Sequence, residues 1–218
     1  MNSTAFNRTA IAAAYLSGAI ALAYSLTFGY YVREGANWAH YTASGLLVAG
    51  GLVGLPVLVA LYQRLRAGDE GFALIALLIA AAAAFGSVLH GAHDVAVFAN
   101  PDQSGSATAY PNFTDPRGFA TFALFGLGLV VLSLLVRSVG FRAGTSAVGA
   151  LTGVSTIVVY IGRVTVLDPQ RWWVAIAAIA SGVVGLPLWN VLVARDLARL
   201  GTRNRHAQTI PSAVFADR

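Results

Sequence analysis

The chain has no cysteine and no lysine. Without cysteine there are no disulfides, thiolate metal ligands, iron–sulfur clusters or cysteine nucleophiles. Without lysine there is no Schiff base, so the chain is not a retinal protein of the usual kind; all 14 basic residues are arginine. Charge is scarce as well. Only 11% of the 218 residues are Asp, Glu, Lys or Arg, while 57% are hydrophobic, far from the ~25% charged fraction of soluble domains. A chain this apolar uses lipid as its solvent. The pI near 10 does not indicate nucleic acid, because the arginines stand at the ends of apolar runs rather than in one basic patch.

Six apolar runs, roughly 9–32, 42–65, 71–99, 117–137, 143–167 and 170–194, each reach the ~20 residues needed to cross a bilayer. The expected fold is therefore all-α: a polytopic transmembrane bundle over 1–200, followed by a polar cytoplasmic tail, 201–218, without regular structure. The first run is too long for the core of a cleavable signal. With the N-terminus inside, ten arginines fall on inner segments and four (Arg33, Arg117, Arg163 and Arg171) on outer ones. This bias predicts cytoplasmic termini and a multi-pass protein of the cell membrane. Tyr30, Tyr31 and Trp38 read as an aromatic belt at the outer face.

Two hexamers, Gly51-Leu-Val-Gly-Leu-Pro56 and Gly182-Val-Val-Gly-Leu-Pro187, differ at one position. They are compatible with a parallel duplication of a helix pair or with chance in a Gly- and Leu-rich chain. Both predict small-residue contacts and a proline inside a spanning helix. Asp115-Pro116 and Asp168-Pro169 read as helix starts, with Asp as N-cap and Pro at the first helical position. The only long connection, 100–116, is rich in Pro, Gly, Ser and Asn and reads as irregular. It is expected on the outer side, as a solvated loop or as a lid.

The densest titratable group in an apolar run is Ser87-Val-Leu-His90-Gly-Ala-His93-Asp94. His90, His93 and Asp94 share one helical face by their i,i+3 and i,i+4 spacing. Counted from Phe72, His90 lies ~27 Å along its helix, just under the outer limit of a ~30 Å hydrocarbon layer. The same count from Arg142 puts Arg163 ~31 Å along its own helix. Glu34 and His40 belong slightly above that level. At the interface a charge costs less than at the bilayer centre, so a plain interhelical lock, such as Asp94 pairing Arg163, competes with function.

Three functional readings remain. One is a metal site on His90, His93 and Asp94, with His40 or Glu34 as a further ligand. Nitrogen and oxygen donors without sulfur suit zinc, iron or copper. One open position would let such a metal hydrolyse a lipidic substrate. Another is haem, less favoured because bis-histidine ligation draws on two helices and only His40 is on offer as a second histidine. The third is an outward-facing pocket lined by His90, His93, Asp94 and Arg163. There Arg163 meets an anionic or lipidic ligand while His90 and Asp94 relay protons. A structural or accessory subunit of a larger membrane complex, or a homo-oligomer, is the remaining class, with Gly- and Ala-rich faces packing on partners. No hydrolase elbow, His-Glu-x-x-His or phosphate loop is present, so enzymatic activity stays open.

The run Gly54-Leu-Pro-Val-Leu-Val-Ala-Leu-Tyr-Gln-Arg-Leu-Arg, followed by Asp69-Glu70-Gly-Phe-Ala-Leu, resembles a family of small bacterial and archaeal six-helix membrane proteins of unknown function. The resemblance spans about 50 residues. It implies six helices and carries no activity or site residue.

Overall fold

A computed structural model describes residues 4–100, 117–166, 168 and 171–209. Among these there are helices and turns but no strand. Six helices are long and apolar enough to cross a membrane. They are α1 (Thr4–Glu34), α2 (Asn37–Leu65), α3 (Glu70–Ala99), α4 (Phe119–Val139), α5 (Ala143–Thr165) and α6 (172–209). The segment 101–116, and with it nearly all of the expected outer loop, lies outside the described residues, as does 210–218. The helix of α6 runs on to Thr209, past the polar boundary near 200.

The helices follow one another around a ring. Each packs on its sequence neighbour, and α6 returns to α1. The backbones of opposite helices, α1 and α4, α2 and α5, α3 and α6, make at most marginal contact. Short connections force this order, because a helix leaving a tight turn can only lie beside the one before it. Gly35 (φ 66°) and Gly140 (φ 89°) supply two of those turns, in the left-handed region where a side chain is strained.

Glycines set the closest approaches. A Cβ at Gly51 would lie 2.6 Å from the carbonyl oxygen of Ala84, and one at Gly91 2.3 Å from that of Ser44, so α2 and α3 touch backbone to backbone. Gly126 and Gly153 do the same reciprocally for α4 and α5, at 2.6 and 2.5 Å. The glycine faces expected to receive partners are thus in part consumed inside the chain. Apolar side chains fill one half of the ring. Leu61, Val136, Val193 and Leu197 are fully buried there, with Ala10, Ala14, Ala73 and Ala76 between them.

That half ends in a buried carboxylate. Asp196 of α6 is inaccessible to solvent. It accepts the backbone N–H of Arg142 at 3.1 Å, Arg142 Nε at 2.8 Å and the Thr145 hydroxyl at 2.6 Å. Arg199 lies 3.3 Å away and also donates to the Gly140 carbonyl at 2.6 Å. Arg142 is the N-cap residue of α5 and gives it no side-chain cap. Asp196 takes over that role from another helix, placing negative charge at the positive end of the α5 dipole.

Helix starts differ in detail from expectation. Asp69 caps α3, accepting Phe72 N–H at 2.9 Å. Asp168 does not cap α6. The helix begins at Trp172 after Arg171, and Asp168 ion-pairs with Arg171 at 3.4 Å instead. Of the two helices with an internal proline, α2 passes Pro56 as unbroken α-helix, whereas α6 widens into a π-helical stretch over Ile179–Gly185 just before Pro187. A second π-helical stretch, Phe119–Leu124, opens α4 without any proline.

Candidate functional site

At the end of the ring opposite Asp196, the helical spacing of His90, His93 and Asp94 on α3 gathers partners from two other helices. Asp94 accepts a hydrogen bond from Arg117 Nη1 at 2.8 Å on Oδ1. Its other oxygen faces His40 Nε2 at 3.5 Å and His90 Nε2 at 3.6 Å. His93 stands 3.6 Å from Oδ1 and receives a hydrogen bond from the same arginine nitrogen. His40, His90 and Asp94 are largely shielded, with 6%, 4% and 14% of each side chain exposed, whereas His93 is 40% exposed. The group therefore runs from a half-open histidine into the protein interior.

The arginine that meets Asp94 is Arg117, at the start of α4. Arg163 goes elsewhere. It lies against Gly118, where a Cβ would come within 2.5 Å of its Nε. The Asp94–Arg163 lock expected from matching depth is thus replaced by Asp94–Arg117, because equal height along two helices says nothing about which way each side chain turns around its axis.

His40 is not above the cluster but in it. Its ring packs edge-on against Tyr31 at 4.3 Å between centroids and against Phe98 at 4.2 Å. Its Nδ1 has no hydrogen-bond partner among the described residues.

His90 connects the cluster to the interior. Its Nδ1 lies 2.9 Å from the Thr121 hydroxyl, which lies 3.4 Å from the Gly86 carbonyl. The hydroxyl has one hydrogen: when it donates to the Gly86 carbonyl, His90 Nδ1–H donates to the Thr121 oxygen, and when it donates to Nδ1, the His90 hydrogen sits on Nε2, toward Asp94.

A metal fits these donors badly. Among the described residues no three His, Asp or Glu side chains are grouped as metal ligands are. The physical reason is Arg117. Its guanidinium occupies the Oδ1 side of Asp94 and engages His93 as well, so two of the three expected ligands already serve a cation.

Thr121 also belongs to a second feature. A cavity of about 380 Å³ lies inside the ring and is lined by residues of all six helices. Its wall is hydrocarbon, aromatic and glycine, with hydroxyls of Ser17, Tyr24, Ser25, Ser87, Thr121, Thr156 and Ser181, the Trp189 indole and the Asn190 amide as polar points. Among the described residues no charged side chain lines it, and His90, His93, Asp94 and Arg163 are not among its lining residues. The charged group thus borders the cavity without lining it, touching the cavity wall through Thr121. Both π-helical stretches contribute to the wall, Thr121 and Phe122 from one, Ile179, Ser181 and Gly182 from the other. A widened turn re-aims side chains that a regular helix would send to the neighbouring helix.

No family model, curated protein or solved structure matches the chain.

Proposed function

We propose that the chain is a multi-pass protein of the cell membrane, with cytoplasmic termini, that binds a small lipophilic molecule in the cavity of the ring. One observation carries this reading: a cavity of about 380 Å³, uncharged and walled by all six helices, which falls in the range of ligand pockets, ~300–1,000 Å³. A few hydroxyls on a hydrocarbon wall are the composition that orients an apolar ligand. At the outward end, His90 holds the Thr121 oxygen in place as an acceptor for a polar tip of the ligand.

Gly54 supplies the test. It lines the cavity, and a Cβ there meets nothing within 4 Å. Gly54→Leu fills the cavity without disturbing a helix contact. Protein purified in mild detergent should carry a lipophilic small molecule, seen by native mass spectrometry, at near-stoichiometric occupancy. Gly54→Leu should lose it with an unchanged or raised melting temperature. Wild-type protein free of any such molecule, unresponsive to added lipid extract, would overturn the reading.

A further inference from the structure

We infer that the cavity is reached sideways from the bilayer, through an opening between α1 and α6 near the Asp94 end, and that its occupant is the acyl chain of a membrane phospholipid. This rests on the cavity being a ligand site, as proposed above, and adds the route and the chemical class.

Exposure within the cavity wall locates the opening. Of all the lining residues, the three that are exposed are Gly29 of α1 and Ala178 and Ile179 of α6. A residue that both lines an interior space and faces outward marks where that space meets the surroundings. The packing agrees. Deeper in the ring α1 and α6 are close. A Cβ at Gly182 would be 2.4 Å from the Ser25 hydroxyl, and one at Gly18 would be 3.2 Å from the Pro187 carbonyl. Beyond Gly182 toward the Asp94 end, the segment Trp172–Ala178 packs on α5 and makes at most marginal contact with α1. The two helices therefore part like the open end of a clothes peg.

The opening faces hydrocarbon rather than water. Gly29 and Ile179 lie roughly 7–10 Å inside the ends of their helices at 1.5 Å per residue, below the polar interface. Its flanks are apolar and outward-facing: Leu26 is 58% and Ile176 59% exposed. The inner edge is aromatic, with Tyr24 stacked on Phe28 at 5.7 Å. A water-borne solute would have to cross headgroups and acyl chains to arrive there; a lipid chain is already present.

The ends of the same two helices suit a phosphate. Arg33 closes α1 and Arg171 precedes α6, with 84% and 64% of their side chains exposed. Each offers one nitrogen to a neighbouring acid, Glu34 at 3.2 Å and Asp168 at 3.4 Å. A guanidinium has five N–H donors, so a phosphodiester can be bound in addition. Positive charge at the rim and none in the cavity matches a phospholipid whose headgroup stays at the interface while one chain bends inward.

The absence of native cysteine and the open space at Gly29, where a Cβ meets nothing within 4 Å, make the test clean. The protein is reconstituted in phosphatidylcholine vesicles holding a phosphatidylcholine with a diazirine near one chain end. After illumination, adducts are mapped by mass spectrometry. Adducts are expected on Tyr24, Phe28 and the buried Trp189 of the cavity wall. Gly29→Trp or Ala178→Trp should lower them at least tenfold, while Gly45→Trp, on an exposed face of α2 away from the cavity, should leave them unchanged. Wall adducts that both seam variants leave undiminished would overturn the sideways route and keep the ligand site. A co-purified occupant that is not a lipid, with no wall adducts, would overturn the lipid class alone. No adducts and no occupant would overturn the ligand site itself. A Gly29→Cys protein that forms an intermolecular disulfide would place a second copy over the opening and overturn the route.

Discussion

Two shielded carboxylates, Asp94 and Asp196, stand at opposite ends of the bundle and are held differently. Asp196 is wholly buried among donors from Arg142, Thr145 and Arg199. Asp196→Asn leaves two arginines that are 47% and 37% exposed and so still solvated, but it strips the charge from their hydrogen bonds, so it should cost about 3 kcal/mol, seen as a lower melting temperature in detergent with the remaining folded fraction still binding ligand. Asp94 is partly shielded and shares its oxygens among one arginine and three histidines. Asp94→Asn should cost less, about 2 kcal/mol, but should also weaken ligand binding, because the carboxylate facing His90 Nε2 at 3.6 Å, which fixes the ring against Thr121, is lost. Equal binding by Asp94→Asn and wild type would remove this cluster from the ligand site. The spacing of His90, His93 and Asp94 on one helical face was legible in the sequence. Their partners were legible only in part. His40 was expected as a further member, though slightly above the layer, while Arg117 read only as a residue following a helix start, because rotation about a helix axis is set by packing that a single sequence does not display. Asp196 had a readable signal, an acid on the same face as Val193 and Leu197 in an apolar run, which the surrounding arginines obscured.

Among whole helices, the contacts divide into tight glycine crossings and a loose seam. Gly153→Ala pushes a methyl group into the Gly126 carbonyl across α4 and α5 and should cost about 1–3 kcal/mol as an overpacked contact. Gly54→Ala meets open space and should stabilise by up to ~1 kcal/mol through helix propensity alone. Thermal unfolding of the two variants side by side separates close-packing glycines from cavity glycines. The six helices themselves were plain from hydropathy: the run expected at 71–99 is α3, Glu70–Ala99. The π-helical stretches were not, since a single widened turn leaves the apolar pattern intact. The start of α6 was misplaced because Asp-Pro resembles a cap and first turn wherever it occurs.

For the whole molecule, the arginine asymmetry predicts which end faces the cytoplasm. A single cysteine at Ser104, in the 100–116 connection, should react with a membrane-impermeant maleimide added to intact cells. Reaction only after lysis would invert the orientation and move the Asp94 cluster to the inner side. The ring was half legible: short connections imply neighbours in space, but closure of α6 onto α1, and the cavity that closure creates, come from side-chain volumes summed over all six helices.

That ring has a consequence for the order in which the protein is built. Five of its six joints link helices made one after the other, so each can form as soon as the later helix reaches the bilayer. The joint between α1 and α6 waits for the whole chain. Until then the barrel is a sheet of helices with its future interior bathed in lipid tails. In the closed ring α6 meets α1 at Gly182 and Ser25 and again at Pro187 and Gly18, away from the Asp94 end. An interior that closes last would take its first occupant from the bilayer, which is the ligand class proposed for the cavity, and the opening proposed between α1 and α6 would be the part of that last seam left unsewn.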